Sequence, residues 1–162
     1  MSETNLLEGK RVLLVDDEPD VLDTLEDLLP MCQTAKASHF KAAQDLLESQ
    51  HFDLAVLDIM GVSGYELLEI CNERGVVAVM LTAHALSPDN LIKSYKKGAA
   101  SYLPKEEMVN IASFLNDVLD AIAKGKNPWV SWYERMSSFW EKKFGPYWKA
   151  SDKNFWEKFP FY

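Results

Sequence analysis

RVLLVDDEPDVLDTLEDLL, residues 11–29, runs an unbroken apolar stretch into three consecutive acids and then into a helical repeat. Val12 to Val15 are apolar without alternation, the pattern of a strand covered on both faces. Beyond Pro19, the residues Val21, Leu22, Leu25, Leu28 and Leu29 recur at helical spacing. Proline suits the first turn of a helix, where its missing N–H has no partner to lose. Working outward, the same unit returns. Thr34–Ala37 is a weak short strand followed by a helix from Phe40 to Leu47, and Leu54–Leu57 is an apolar strand ending on Asp58 with helical spacing from Tyr65 to Cys71. Val76–Leu81 precedes a helix opened by Ser87-Pro88, a cap residue and a first-turn proline. Ser101–Leu103 precedes a helix from Met108 to Ile122, with Val109, Ile111, Leu115, Val118 and Leu119 on the apolar side. Five strand-then-helix units predict an α/β fold, a doubly wound parallel sheet with helices on both faces.

In open parallel sheets the ligand sits beyond the carboxyl ends of the strands. The polar residues of this chain gather there. Asp16 and Asp17 close the first strand, Asp58 the third and Thr82 the fourth, and Lys105 lies just past the fifth. Three carboxylates at one edge repel each other and call for a cation, and hard oxygen ligands with room for water suit Mg²⁺. A carboxylate can also attack phosphorus to give an acyl phosphate, a transfer catalysed mainly by positioning and charge neutralisation. On that reading Asp58 is the nucleophile and Asp16 and Asp17 hold the metal with Asp58. The backbone carbonyl of Met60 completes the metal shell, Lys105 meets the phosphoryl oxygens, and Thr82 donates its hydroxyl to another of them.

VLLVDDE at 12–18, LDIM at 57–60, LTA at 81–83 and KKGAASYLPK at 96–105 together resemble the response-regulator receiver family, over roughly residues 10–124. The resemblance implies a flavodoxin-like sheet of order 2-1-3-4-5, phosphorylation of Asp58 by a histidine kinase or phosphotransfer protein, and Mg²⁺ as cofactor. It further implies that Thr82 and Lys105 sense the phosphoryl group. Tyr102, three positions before Lys105, corresponds to the aromatic residue that changes rotamer on activation. Two departures stand out. Gly61-Val62-Ser63-Gly64 follows Met60 directly, about two residues shorter than the family's usual loop, and Glu106 follows Lys105 where the family has a proline in a cis bond. A cis bond to a non-proline residue costs about 2.5–4 kcal/mol, which predicts a rebuilt loop around Lys105.

The formal charge of -8 is uneven, with 10 basic and 21 acidic residues over 1–124 against 7 basic and 4 acidic over 125–162. Acidity on that scale argues against a general nucleic-acid binder. Cys32 and Cys71 are neither in CxxC spacing nor near clustered histidines, so no disulfide framework or zinc site is signalled. The first apolar run is too short for a signal-peptide core or membrane span, which gives a cytoplasmic expectation. His39 and His51 flank helices, and His84 reads as an exposed loop histidine bordering the site.

Residues 1–124 therefore read as one receiver domain and residues 125–162 as an aromatic helical extension. All five tryptophans and 13 of the 19 aromatic residues lie in that extension. Trp129 to Lys143 is an amphipathic helix ended by Gly145-Pro146, and Ser151 to Phe159 a second short one. It carries no basic recognition-helix pattern, and no nucleic acid is expected. Its aromatics have three destinations: the receiver's own surface or a homodimer, a partner protein, and, disfavoured by Glu134, Glu141, Asp152 and Glu157, a membrane surface. Two function classes follow. The first is a phosphorylation switch without a separate enzymatic output, whose transfer and dephosphorylation are self-catalysed. The alternative is a receiver-fold interaction module, not phosphorylated, that acts through the aromatic segment. An aspartate-nucleophile phosphatase is disfavoured, because Asp58-Ile59-Met60 lacks a second acid two positions on.

Overall fold

A computed structural model of the chain describes residues 5–83 and 86–160. The element order is β1 (Arg11–Val15), α1 (Pro19–Leu28), β2 (Gln33–Ala37), α2 (Phe40–Ser49), β3 (Leu54–Leu57), α3 (Gly64–Glu73), β4 (Val77–Thr82), α4 (Pro88–Lys96), β5 (Ser101–Pro104), a 3-10 helix (Lys105–Asn110), α5 (Ile111–Ala123), α6 (Pro128–Phe144) and α7 (Lys153–Lys158). The five strands are parallel in the order β2-β1-β3-β4-β5, the order expected from the sequence. Val12 to Val15 and Leu54 to Leu57 are all buried, as unalternating strands between two helical layers must be. Register decides the functional edge. Val15 pairs with Leu57, so Asp16 and Asp58 leave the sheet side by side; Thr82 pairs with Pro104, so Lys105 leaves next to Thr82.

Helices α2, α4 and α6 open on a side-chain cap. Ser87 Oγ accepts the Asn90 N–H at 3.0 Å to open α4, and Asn127 Oδ1 accepts the Trp129 N–H at 2.9 Å to open α6. His39 caps α2, its Nδ1 accepting the Ala42 N–H at 3.2 Å. Gly145, at φ +86, ends α6. Most element boundaries lie within one or two residues of the sequence reading, and the larger difference is at α5. The helix expected from Met108 begins at Ile111, and Met108 and Val109 lie in the 3-10 turn, where Val109 is 69% exposed.

Among the described residues, most C-terminal aromatics turn inward, with Tyr147 left exposed. Trp129, Trp132, Met136 and Trp140 form the buried stripe of α6, at the spacing of one helical face. The stripe packs on β5 and α5, and Trp129 meets Tyr95 of α4 with ring centroids 5.1 Å apart. Trp148 joins the same apolar core, and Phe155 and Phe159 close over Tyr95 at 5.3 and 5.2 Å. Of the three destinations, the receiver's own surface is the one occupied. The indole N–H groups of Trp129 and Trp132 donate to the carbonyls of Ala99 and Tyr102 at 2.9 and 2.8 Å, so α6 is bonded to the edge strand and to the turn that leads into it. Among the described residues, no helix is long and apolar enough to cross a membrane.

Candidate functional site

The strand ends bring Asp16, Asp58, Thr82 and Lys105 together at the carboxyl edge of the sheet. Asp16 and Asp58 are only 2% and 4% exposed. Asp16 Oδ1 accepts the Glu18 N–H at 2.9 Å, and Asp58 Oδ1 accepts the Ile59 N–H at 2.9 Å. Each carboxylate thus keeps its second oxygen for the pocket. The Lys105 ammonium lies between those oxygens, 2.8 Å from Asp16 Oδ2 and 3.6 Å from Asp58 Oδ2, with Glu18 Oε1 at 3.0 Å. Burial drives the Asp58 carboxyl up to about 6, and the charge of Asp16 adds to this while Lys105 and the Ile59 N–H oppose it. Burial works against the Lys105 ammonium, but its hydrogen bonds to Asp16 and Glu18 prevail and its pKa is raised.

Asp17 is exposed at the lip of the pocket, and the shortened loop is folded against it. A Cβ on Gly61 would stand 2.3 Å from Asp17 Oδ2, and a Cβ on Gly64 would stand 2.0 Å from the Asp58 carbonyl oxygen. Gly61 also has φ +85, which side chains rarely adopt. The loop is therefore drawn in tightly, with glycine needed at both contacts. Met60 lies in the turn beyond Asp58 with its side chain exposed. On the other side, the Lys105–Glu106 peptide is trans. In place of a cis turn, Lys105 opens a 3-10 helix.

Asp16, Asp17 and Glu18 each offer an oxygen, all within 4.8 Å of one another, a set able to hold a metal ion. The donors are hard, and the ammonium on Asp16 already occupies a place where positive charge is favoured, so the residues fit a divalent cation such as Mg²⁺. Sequence reasoning missed Glu18, which approaches both the cluster and Lys105. Its signal was its position as the third acid of the 16–18 run, which also reads as an ordinary residue before a helix. Thr82 is buried at the end of β4. Tyr102 is fully buried on β5, its hydroxyl accepting the Ser87 N–H at 3.2 Å and its ring 5.7 Å from Trp140. His84 lies outside the described residues.

Comparison with known proteins identifies the family. The response regulator receiver domain family matches residues 12–115. This chain belongs to that family. Among curated relatives of the receiver, it is 37% identical over 113 residues to the two-component response regulator ARR18 of Arabidopsis thaliana, covering 64% of this chain and 18% of that protein. It is 34% identical over 102 residues to the response regulator protein PilR of Pseudomonas aeruginosa, covering 59% of this chain and 23% of that protein. The chain thus spans less than a quarter of the length of these relatives. A CheY-like receiver domain protein from Methanospirillum hungatei superposes with a TM-score of 0.65 at 29% identity, over 72% of this chain and 98% of the other.

Proposed function

We propose that this receiver is a phosphorylation switch of a two-component or phosphorelay pathway, accepting a phosphoryl group on Asp58 from a histidine kinase or phosphotransfer protein. The observation that carries this reading is the meeting of two buried acids, Asp16 and Asp58, on one ammonium, that of Lys105. Mg²⁺ would be held by Asp16, Asp17, Asp58 and the Met60 carbonyl, and when bound supplies neutralising charge to the phosphoryl oxygens. A carboxylate oxygen of Asp58 forms the bond to phosphorus as the donor's bond breaks. Its pKa of about 6 leaves it ionised above neutrality, as a nucleophile must be. Lys105 moves from Asp16 and Glu18 to the phosphoryl oxygens, and Thr82 donates its hydroxyl to another. Tyr102 is the side chain through which occupancy of the pocket reaches α4 and α6, by its contacts to Ser87 and Trp140.

Residues 1–124 form the phosphorylated unit and residues 125–162 its appendage, and the setting is the cytoplasm. The rival reading, an unphosphorylated interaction module acting through its C-terminal aromatic segment, has fewer side chains to act through, because Trp129, Trp132, Trp140 and Trp148 are buried. The deciding experiment is incubation with acetyl phosphate and Mg²⁺, read by intact mass. The expected result is a gain of one phosphoryl group in the parent, absent in Asp58→Asn and in the presence of EDTA. A parent that gains none, or an Asp58→Asn protein that gains as much, overturns the proposal.

A further inference from the structure

Lys105 is delivered to the acids by a half-exposed turn that follows β5 and packs on α5 and β4. It opens the 3-10 helix Lys105–Asn110, none of whose residues is fully buried, and Pro104 before it provides no side-chain cap. Its ammonium rides on a flexible four-carbon stem, yet it meets three carboxylates at 2.8, 3.0 and 3.6 Å. Before Lys105 the chain is paired to β4 through Tyr102 and Pro104, and to that ladder α6 adds ties on both sides. On one side of Lys105, the Tyr102 carbonyl accepts the Trp132 indole N–H at 2.8 Å, and the Tyr102 ring lies 5.7 Å from that of Trp140. On the other side, Glu106 Oε1 accepts from the Lys143 ammonium at 2.8 Å. The ties therefore straddle Lys105.

We propose that α6 positions Lys105: Trp132, Trp140 and Lys143 fix the segment from Tyr102 to Glu106 so that the ammonium stands over the acid pocket, and docking of α6 thereby sets how fast Asp58 accepts a phosphoryl group. The proposal rests on the phosphoryl-acceptor reading above. These three are positioning residues that act through Lys105. Reaction rates are steep in such geometry, and a displacement of about 1 Å can cost on the order of 100-fold. The Trp132 bond is buried and the Lys143–Glu106 pair half exposed, so the first is the stronger tie.

The test uses the full chain, with phosphoryl acceptance from acetyl phosphate and Mg²⁺ timed by intact mass. Trp132→Phe is expected to slow acceptance about tenfold and Lys143→Glu about twofold, with the exchange Lys143→Glu, Glu106→Lys restoring the parent rate. Each change is repeated in a Lys105→Ala background, where its effect should vanish, because residues acting through one group are not additive. Variants at the parent rate overturn the proposal. Slowing of equal size without Lys105 also overturns it, since that is the behaviour of a purely structural contact. Mg²⁺ affinity measured by calorimetry needs no phosphorylation. The Lys105 ammonium competes for Asp16, so Trp132→Phe should tighten Mg²⁺ binding when Lys105 is present and leave it unchanged in Lys105→Ala. A parent that gains no phosphoryl group defeats the functional reading, while unchanged Mg²⁺ affinity in Trp132→Phe defeats the positioning role.

Discussion

Replacing Asp58 with asparagine should stabilise the metal-free protein, and only at higher pH. The carboxyl is buried and its pKa is raised from 3.8 to about 6, so the folded state holds its proton over a range where the unfolded chain has released it. Between those values the folded state binds more protons, and stability falls as pH rises. Below about 4 both states are protonated and the penalty is absent; above about 6 it is complete. The shift corresponds to about 3 kcal/mol, taken at about 1.4 kcal/mol per unit. Asparagine keeps the shape and never ionises. Thermal unfolding in EDTA should therefore show Asp58→Asn melting roughly 6–12 °C above the parent near pH 8, with the gap closing near pH 4. Added Mg²⁺ should narrow the gap at pH 8, because the cation stabilises the parent's charged pocket more than the variant's. A gap that is the same at both pH values, or a variant that melts below the parent at pH 8, would refute the claim that like charge and burial strain this pocket.

Three further outcomes follow from the same geometry. Asp17→Asn should weaken Mg²⁺ binding about tenfold or more by calorimetry with little change in melting temperature, because Asp17 is exposed; unchanged affinity would remove it from the metal set. Gly64→Ala sets a Cβ 2.0 Å from the Asp58 carbonyl oxygen and should cost about 1–3 kcal/mol in denaturant unfolding while slowing phosphoryl acceptance, whereas Gly75→Ala, with open space around it but φ +72, should cost only backbone strain and leave phosphoryl acceptance unchanged. Deleting residues 126–162 uncovers Tyr95 and Tyr102 and the edge strand, so the truncated protein should bind an apolar dye and self-associate in sedimentation; a clean monomer with no dye binding would contradict the packing of α6.

The five strands and the edge that carries the acids were legible because a strand buried on both faces leaves an unalternating apolar run, and polar residues directly after such runs must lie at its end. Asp16, Asp58, Thr82 and Lys105 were found this way. Register then supplied what spacing cannot, the pairing of Val15 with Leu57 that sets Asp16 beside Asp58. Val109 shows the converse: apolar and in phase with the α5 repeat, it reads as a core residue, yet it sits exposed in the 3-10 turn that the rebuilt Lys105 loop imposes. The apolar stripe of α6 was equally legible, but a stripe specifies only that something covers it. That the cover is β5, α4 and α5 depends on the acceptors of the Trp129 and Trp132 indoles, which no local pattern encodes.

The bonding of α6 to β5 leaves the sheet with one rim open to strand addition. Exposed strand edges invite pairing with other chains, and proteins commonly blunt them with a central lysine or a covering element. Here the two rims are treated differently. The β5 rim and the turn leading into it lie beneath α6, while the β2 rim remains a short, half-polar strand. On β2 the guard is Lys36, its ammonium bound to Asp23 and Glu26 of α1 at 3.0 and 3.1 Å. Any extended peptide that augments this sheet, or any neighbour that aggregates along it, must approach through Gln33–Ala37 and displace a lysine that α1 holds in place.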